Sequence, residues 1–205
     1  MTESTEDKVI ERIKKAKRGS VFFTDDFLRF GSAKTISKSL ERLTEKKEIM
    51  RVSRGIYTRP EINKTLGITI TPSIENIAKA IARRDRARII PTGAYSLNIL
   101  GLSTQIPMNA VYLTDGVARK IAIGKRSLHF KKTATKNLAS IGEISGLVIQ
   151  GLKALGKDQL NEDEILKVIE ILKKEKIERL RHDIKLAPEW IRTIMKAALP
   201  ENQQL

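Results

Sequence analysis

The sequence predicts an α+β chain in three parts, and three observations carry that prediction. Between Ser20 and Pro60 a helical apolar period gives way to two short β-prone runs joined by Ser53-Arg54-Gly55. From Ile89 to Phe130, β-branched and aromatic runs alternate with glycine-containing turns. From Asn137 onward the apolar period is helical. The predicted order is an N-terminal winged helix-turn-helix, a mixed α/β module and a helical C-terminal segment. Its boundaries are residues 1–60 for the winged domain, 61–71 for a linker and 72–205 for a C-terminal domain, divided into 72–135 and 136–205.

Ser4-Thr5-Glu6-Asp7 has the hydroxyl cap and following acidic residues of a helix start, with Val9, Ile10 and Ile13 as the apolar stripe behind it. Gly19 ends this helix, Val21-Phe22-Phe23 reads as a short strand, and Thr24 or Asp25 caps a brief helix through Phe27, Leu28 and Phe30. The predicted reading helix runs from Ser32 to Lys46, where Ala33, Ile36, Leu40 and Leu43 recur at helical spacing and share one face. Gly31 supplies the turn before it. The other face carries Ser32, Lys34, Thr35, Lys38, Ser39 and Arg42. These hydroxyls and cations suit phosphate oxygens and base edges in the major groove of double-stranded promoter DNA. Glu48 to Val52 and Ile56 to Thr58 then form a wing closed by Pro60. Arg54 at its tip, with Arg51 and Arg59 beside it, is placed to reach a neighbouring phosphate or the minor groove; the alternative is a merely solvated hairpin surface.

Ile62 to Thr71 reads as linker, and Pro72-Ser73 opens a helix with Ile74, Ile77, Ala78 and Ile81 inward. Arg83, Arg84, Arg86 and Arg88 follow, where the helix dipole favours cations as much as a phosphate would. Ile89-Ile90 is a short strand, Ala94 to Leu100 a helix stopped by Gly101, and Ala110 to Thr114, Ala118 to Ile123 and Ser127 to Phe130 are further strands. Arg119, Lys120, Lys125, Arg126, Lys131 and Lys132 make a basic edge, either a second polyanion surface or a charged edge that blunts strand pairing. Leu138, Ile141, Ile144, Leu147, Val148, Leu152 and Leu155 make one long stripe, in which Gly142, Gly146 and Gly151 suggest close packing or a break. Asn161 caps the next helix, Ile177, Leu180 and Ile184 continue the period, and Pro188 opens a last helix in which Trp190 is a core or docking residue.

The formal charge of +15 and pI near 10.1 favour a polyanionic partner. The charge is uneven: residues 1–60 carry 15 Lys and Arg against 9 Asp and Glu, residues 61–135 carry 12 against 4, and residues 136–205 carry 12 against 11. The basic field therefore belongs to the first two thirds. The chain has no cysteine, which excludes disulfides and thiolate chemistry, and its N-terminus is charged with no apolar run long enough to span a membrane. A cytoplasmic protein without membrane attachment is expected. His129 and His182 stand singly, no phosphate-cradling glycine loop or nucleophile elbow is present, and Asp115 in Thr-Asp-Gly reads as a turn more readily than as a magnesium ligand. The expectation is no enzyme, no catalytic residue, no metal and no cofactor.

Six pieces together resemble the AbiEi-type antitoxins, transcriptional regulators of a bacterial abortive-infection toxin-antitoxin system: Gly19 to Phe22, Arg51 to Tyr57, Pro91 to Tyr95, Leu100 to Ser103, Tyr112 to Gly116 and Leu186 to Ile191. The resemblance spans nearly the whole chain. It implies a winged helix that represses its own operon and a C-terminal antitoxin domain that counters a nucleotidyltransferase-like toxin, with or without direct contact between the two. The rival expectation is an RNA- or ribosome-binding protein, which the charge permits. A 4% aromatic content makes a base-stacking surface hard to assemble.

Overall fold

The computed structural model describes residues 3–63, 65 and 67–200, which mix helices and strands. They form two compact units, Met1–Ile81 with Ala122–Gly124 and Ala82–Ile121 with Lys125–Leu205.

In the first unit, α1 (Thr5–Lys14) begins at a reciprocal cap. The Ser4 hydroxyl accepts from the Asp7 N–H at 3.2 Å, and the Asp7 carboxylate accepts from the Ser4 N–H at 3.2 Å. The Ser4 hydroxyl, followed by the Ser4 N–H, holds the Asp7 carboxyl below the ordinary carboxylate range. The strand β1 (Val21–Phe23) leads into a 3-10 helix, Thr24–Phe30, whose start is fixed by the Phe23 N–H donating to the Asp26 carboxylate at 2.8 Å. Next come α2 (Ala33–Glu45) and the hairpin β2 (Met50–Ser53) and β3 (Ile56–Thr58), turned at Gly55 with φ +70°. The sheet order is β1-β3-β2, antiparallel throughout, and the central β3 is buried at all three residues. Val9, Ile13, Phe22, Phe27, Ile36, Leu40, Leu43 and Tyr57 form the core beneath it, so α1, α2 and the sheet share one apolar interior.

The segment expected to be linker contains an antiparallel pair, β4 (Glu61–Asn63) and β5 (Ile68–Ile70), with Ile62 opposite Thr69; Lys64 and Leu66 of that segment lie outside the described residues. The first unit's main segment ends at Ile81, inside α3 (Ile74–Arg84).

A four-stranded sheet of order β6-β7-β9-β8 is formed by β6 (Ile89–Thr92), β7 (Asn109–Thr114), β8 (Arg119–Ile123) and β9 (Arg126–Lys132), and it lies in the second unit except for Ala122 and Ile123 of β8, which belong to the first. β6 runs antiparallel to β7, and β7 parallel to β9. A helix, α4 (Ala94–Ile99), follows β6, and the Tyr95, Tyr112 and Phe130 rings stack in sequence at 5.6 and 6.1 Å.

The long stripe expected from Leu138 onward is broken. A 3-10 turn, Thr135–Leu138, precedes α5 (Glu143–Leu155), and Ile141 is exposed. The break has a physical cause at Gly142, where a Cβ would collide with the Ser145 hydroxyl and meet the Glu175 carboxylate at 2.6 Å. The space goes to two carboxylates that receive the free N–H groups at the start of α5. Asp183 accepts from the Ile141 and Gly142 N–H groups at 2.9 Å each and from the Ser145 hydroxyl at 2.5 Å, while Glu175 accepts from the Ile144 N–H at 2.8 Å. Behind this cap α6 (Glu162–Leu172), α7 (Ile177–Ile184) and α8 (Glu189–Lys196) pack on α5 through Val148, Leu152, Leu172, Leu180 and Ile191, with Trp190 partly buried against them.

Candidate nucleic-acid interface

α2 separates its two faces cleanly. Ile36, Ser39, Leu40 and Leu43 are buried, and the opposite stripe is Lys34, Ser37, Lys38, Glu41 and Glu45, all exposed. These five fall at helical spacing, so they line one ridge whose N-terminal half is cationic and whose C-terminal half is anionic. Ser39, expected on the reading face, is 4% exposed: it sits three residues after Ile36 and shares that residue's side of the helix. Ala33, expected inward, is exposed.

At the start of the helix Ser32 is the cap. Its hydroxyl accepts from the Thr35 N–H at 3.2 Å and bonds the Thr35 hydroxyl at 2.9 Å, so these two predicted contact residues fix the helix end they belong to. Arg42 lies 3.7 Å from the Glu6 carboxylate of α1, which also receives Lys46 at 2.5 Å. The Arg42 side chain remains 65% accessible although Glu6 is largely covered, and the long contact holds the arginine only weakly.

Across from the ridge stand Arg51 and Arg54 of the β2–β3 hairpin. A cleft of about 460 Å³ separates the two, lined by Ser37, Glu41 and Glu45 on the helix side and by Arg51 and Arg54 on the hairpin side. The side chains of Lys34, Lys38, Arg51, Arg54, Glu41 and Glu45 make no ion pair or hydrogen bond among the described residues. Arg59 is different. Its guanidinium donates to the Lys14 carbonyl at 2.6 Å and the Ala16 carbonyl at 2.8 Å, closing the end of α1 instead of reaching outward as a wing cation. Replacing Arg59 by alanine should therefore cost the first unit about 1.5–3 kcal/mol in urea unfolding.

Several arginines of the second unit are committed to its own groups. Arg84 Nε lies 2.9 Å from the Asp85 carboxylate, which Arg119 also contacts, and the Arg119 guanidinium sits 5.7 Å over the Phe130 ring. Burial, and after it the charge of Arg84, lowers the Arg119 pKa. Asp115 accepts from the Arg88 side chain and N–H at 2.9 and 2.8 Å; these bonds hold its carboxyl below the ordinary range and fasten the approach to β6 onto the end of β7. Arg126 donates to the Pro107 carbonyl at 3.3 Å, while Lys120, Lys125, Lys131 and Lys132 are exposed. His129 Nε2 is 2.9 Å from the Ser127 hydroxyl, and burial, then Lys120 and Lys131, lowers its pKa. Among the described residues no group of three or more His, Cys, Asp or Glu gathers to hold a metal ion.

Sequence reasoning missed Ser37, Glu41 and Glu45 as ridge residues, although their spacing from Lys34 on a helical wheel identifies them. It also missed the capping role of Arg59, for which the local sequence offers no signal.

Residues 8–180 match the model of a family described as "Family of unknown function (DUF6088)". No curated protein matches the chain. No helix among the described residues is long and apolar enough to cross a membrane.

Proposed function

The chain belongs to the family of unknown function DUF6088, and we propose that it is a sequence-specific DNA-binding repressor whose first unit acts as a winged helix-turn-helix. One observation supports this reading above the others: Lys34 and Lys38 on the exposed ridge of α2, and Arg51 and Arg54 on the hairpin side of the cleft beside that ridge, have side chains without an ion pair or hydrogen bond among the described residues. Other cations of the chain, such as Arg18, Arg59, Arg88 and Arg119, are spent on its own carbonyls and carboxylates. Exposed cations without internal partners suit phosphate, whose neutralisation releases counterions. In the proposed complex α2 enters the major groove by its N-terminal end with Lys34, Ser37 and Lys38 toward the bases, and the hairpin lays Arg51 and Arg54 on flanking phosphates.

The resemblance to AbiEi-type antitoxins extends the reading. The promoter bound is that of the protein's own operon, and the second unit carries an antitoxin activity against a nucleotidyltransferase-like toxin. Electrophoretic titration of that promoter tests the DNA-binding half. Lys38→Ala and Arg54→Ala should each weaken binding about 5- to 10-fold and reduce the slope of log K against log salt by about 1 where the lost contact is to phosphate. If both variants bind as tightly as wild type, the reading is wrong.

A further inference from the structure

Glu41 and Glu45 lie on the ridge of α2 that the DNA-binding reading turns toward the duplex, and the inference drawn here rests on that reading. Carboxylates on such a surface usually neutralise a neighbouring cation. Neither does so here, although Arg51 and Arg54 line the same cleft. Against a polyanion an uncompensated carboxylate lowers affinity for every sequence, unless a donor on a base edge meets it. The major groove offers two such donors, the N4 amino group of cytosine and the N6 amino group of adenine. Adenine N6 sits beside the N7 acceptor and so matches an amide, which can donate and accept. A carboxylate only accepts, and it matches cytosine N4.

Position selects between the two glutamates. Glu41 follows Lys34 by seven residues, about 10 Å along the helix axis, roughly the rise of three base pairs. Glu45 lies a further turn toward the end that leaves the groove. We infer that Glu41 is a specificity-determining residue: its carboxylate accepts a hydrogen bond from the N4 amino group of one cytosine, and its charge penalises any duplex that lacks cytosine there. The ridge would then combine cations that bind DNA generally with one anion that rejects most of it.

Selection from a random-sequence duplex library tests this, with the full wild-type chain, Glu41→Ala and Glu41→Gln. The wild type should fix cytosine at one position, where replacement by thymine weakens binding about tenfold or more. With Glu41→Ala that position should become degenerate while the rest of the selected site is kept, and affinity for unselected duplex should rise. With Glu41→Gln, an exposed and nearly isosteric change, the preference there should move to adenine. The same consensus from all three proteins would overturn the role of Glu41 and leave the DNA-binding reading standing. Failure of the wild type to enrich any sequence would overturn both.

Discussion

Replacing Lys34, Lys38, Arg51 and Arg54 together by glutamine should abolish specific promoter binding at physiological salt, weakening it on the order of a thousandfold or more. If each cation meets one phosphate, the slope of log K against log salt should become shallower by about 3.6. The same protein should unfold at an unchanged urea midpoint. None of the four side chains is buried or paired among the described residues, and exposed substitutions of that kind typically shift stability by about 0.5 kcal/mol or less each. The Arg59→Ala variant gives the opposite pattern, lost stability with an unchanged salt slope, because its guanidinium closes α1. Measuring both proteins by both methods separates a binding surface from a structural one.

The largest effect on stability is expected at Asp183. Its carboxylate is fully buried and is bonded by the Ile141 and Gly142 N–H groups, the Ser145 hydroxyl and the His182 ring. Asp183→Ala leaves those donors without an acceptor in the interior and removes the negative charge from the start of α5. The cost should be about 3–5 kcal/mol, a large share of a typical folding free energy of about 5–15 kcal/mol. Asp183→Asn should recover less than half of that loss, since one of its two side-chain atoms now donates where an acceptor is needed. Glu175→Ala should cost less, about 1–2 kcal/mol, because its carboxylate accepts from the Ile144 and Ser145 N–H groups without the further hydroxyl and imidazole contacts that Asp183 makes. Urea unfolding followed by circular dichroism reads all three, and an Asp183→Ala midpoint close to wild type would contradict the capping account.

What the sequence made legible follows the range of the interactions. The start of α1, the helix α2 and the hairpin tip at Gly55 depend on residues within one or two turns of each other, and spacing alone located them. The error at Ser39 was local as well: residue type was allowed to outweigh position, although Ile36, Leu40 and Leu43 already fixed the buried side. Other features were out of reach. Arg59 serves carbonyls 43 and 45 residues away, and Asp183 serves N–H groups 41 and 42 residues away, so Arg59 read as a wing contact and nothing in the local sequence marked Asp183. The strand pair within residues 61–71 went unread for a third reason. Ile62, Ile68 and Ile70 are exposed on the β4–β5 pair, so no alternation of buried and exposed positions marks the strands.

The central claim is that the first unit distinguishes one DNA sequence from others, and fluorescence anisotropy tests it most directly. A labelled duplex from the promoter of the protein's own operon would be titrated with the full chain at about 0.15 M salt, beside a scrambled duplex of equal length and composition. The account predicts that the promoter is bound at least about 1,000-fold more tightly. Equal affinity for the two duplexes, falling in parallel as salt is raised, would reduce the interface to a general polyanion surface and contradict it.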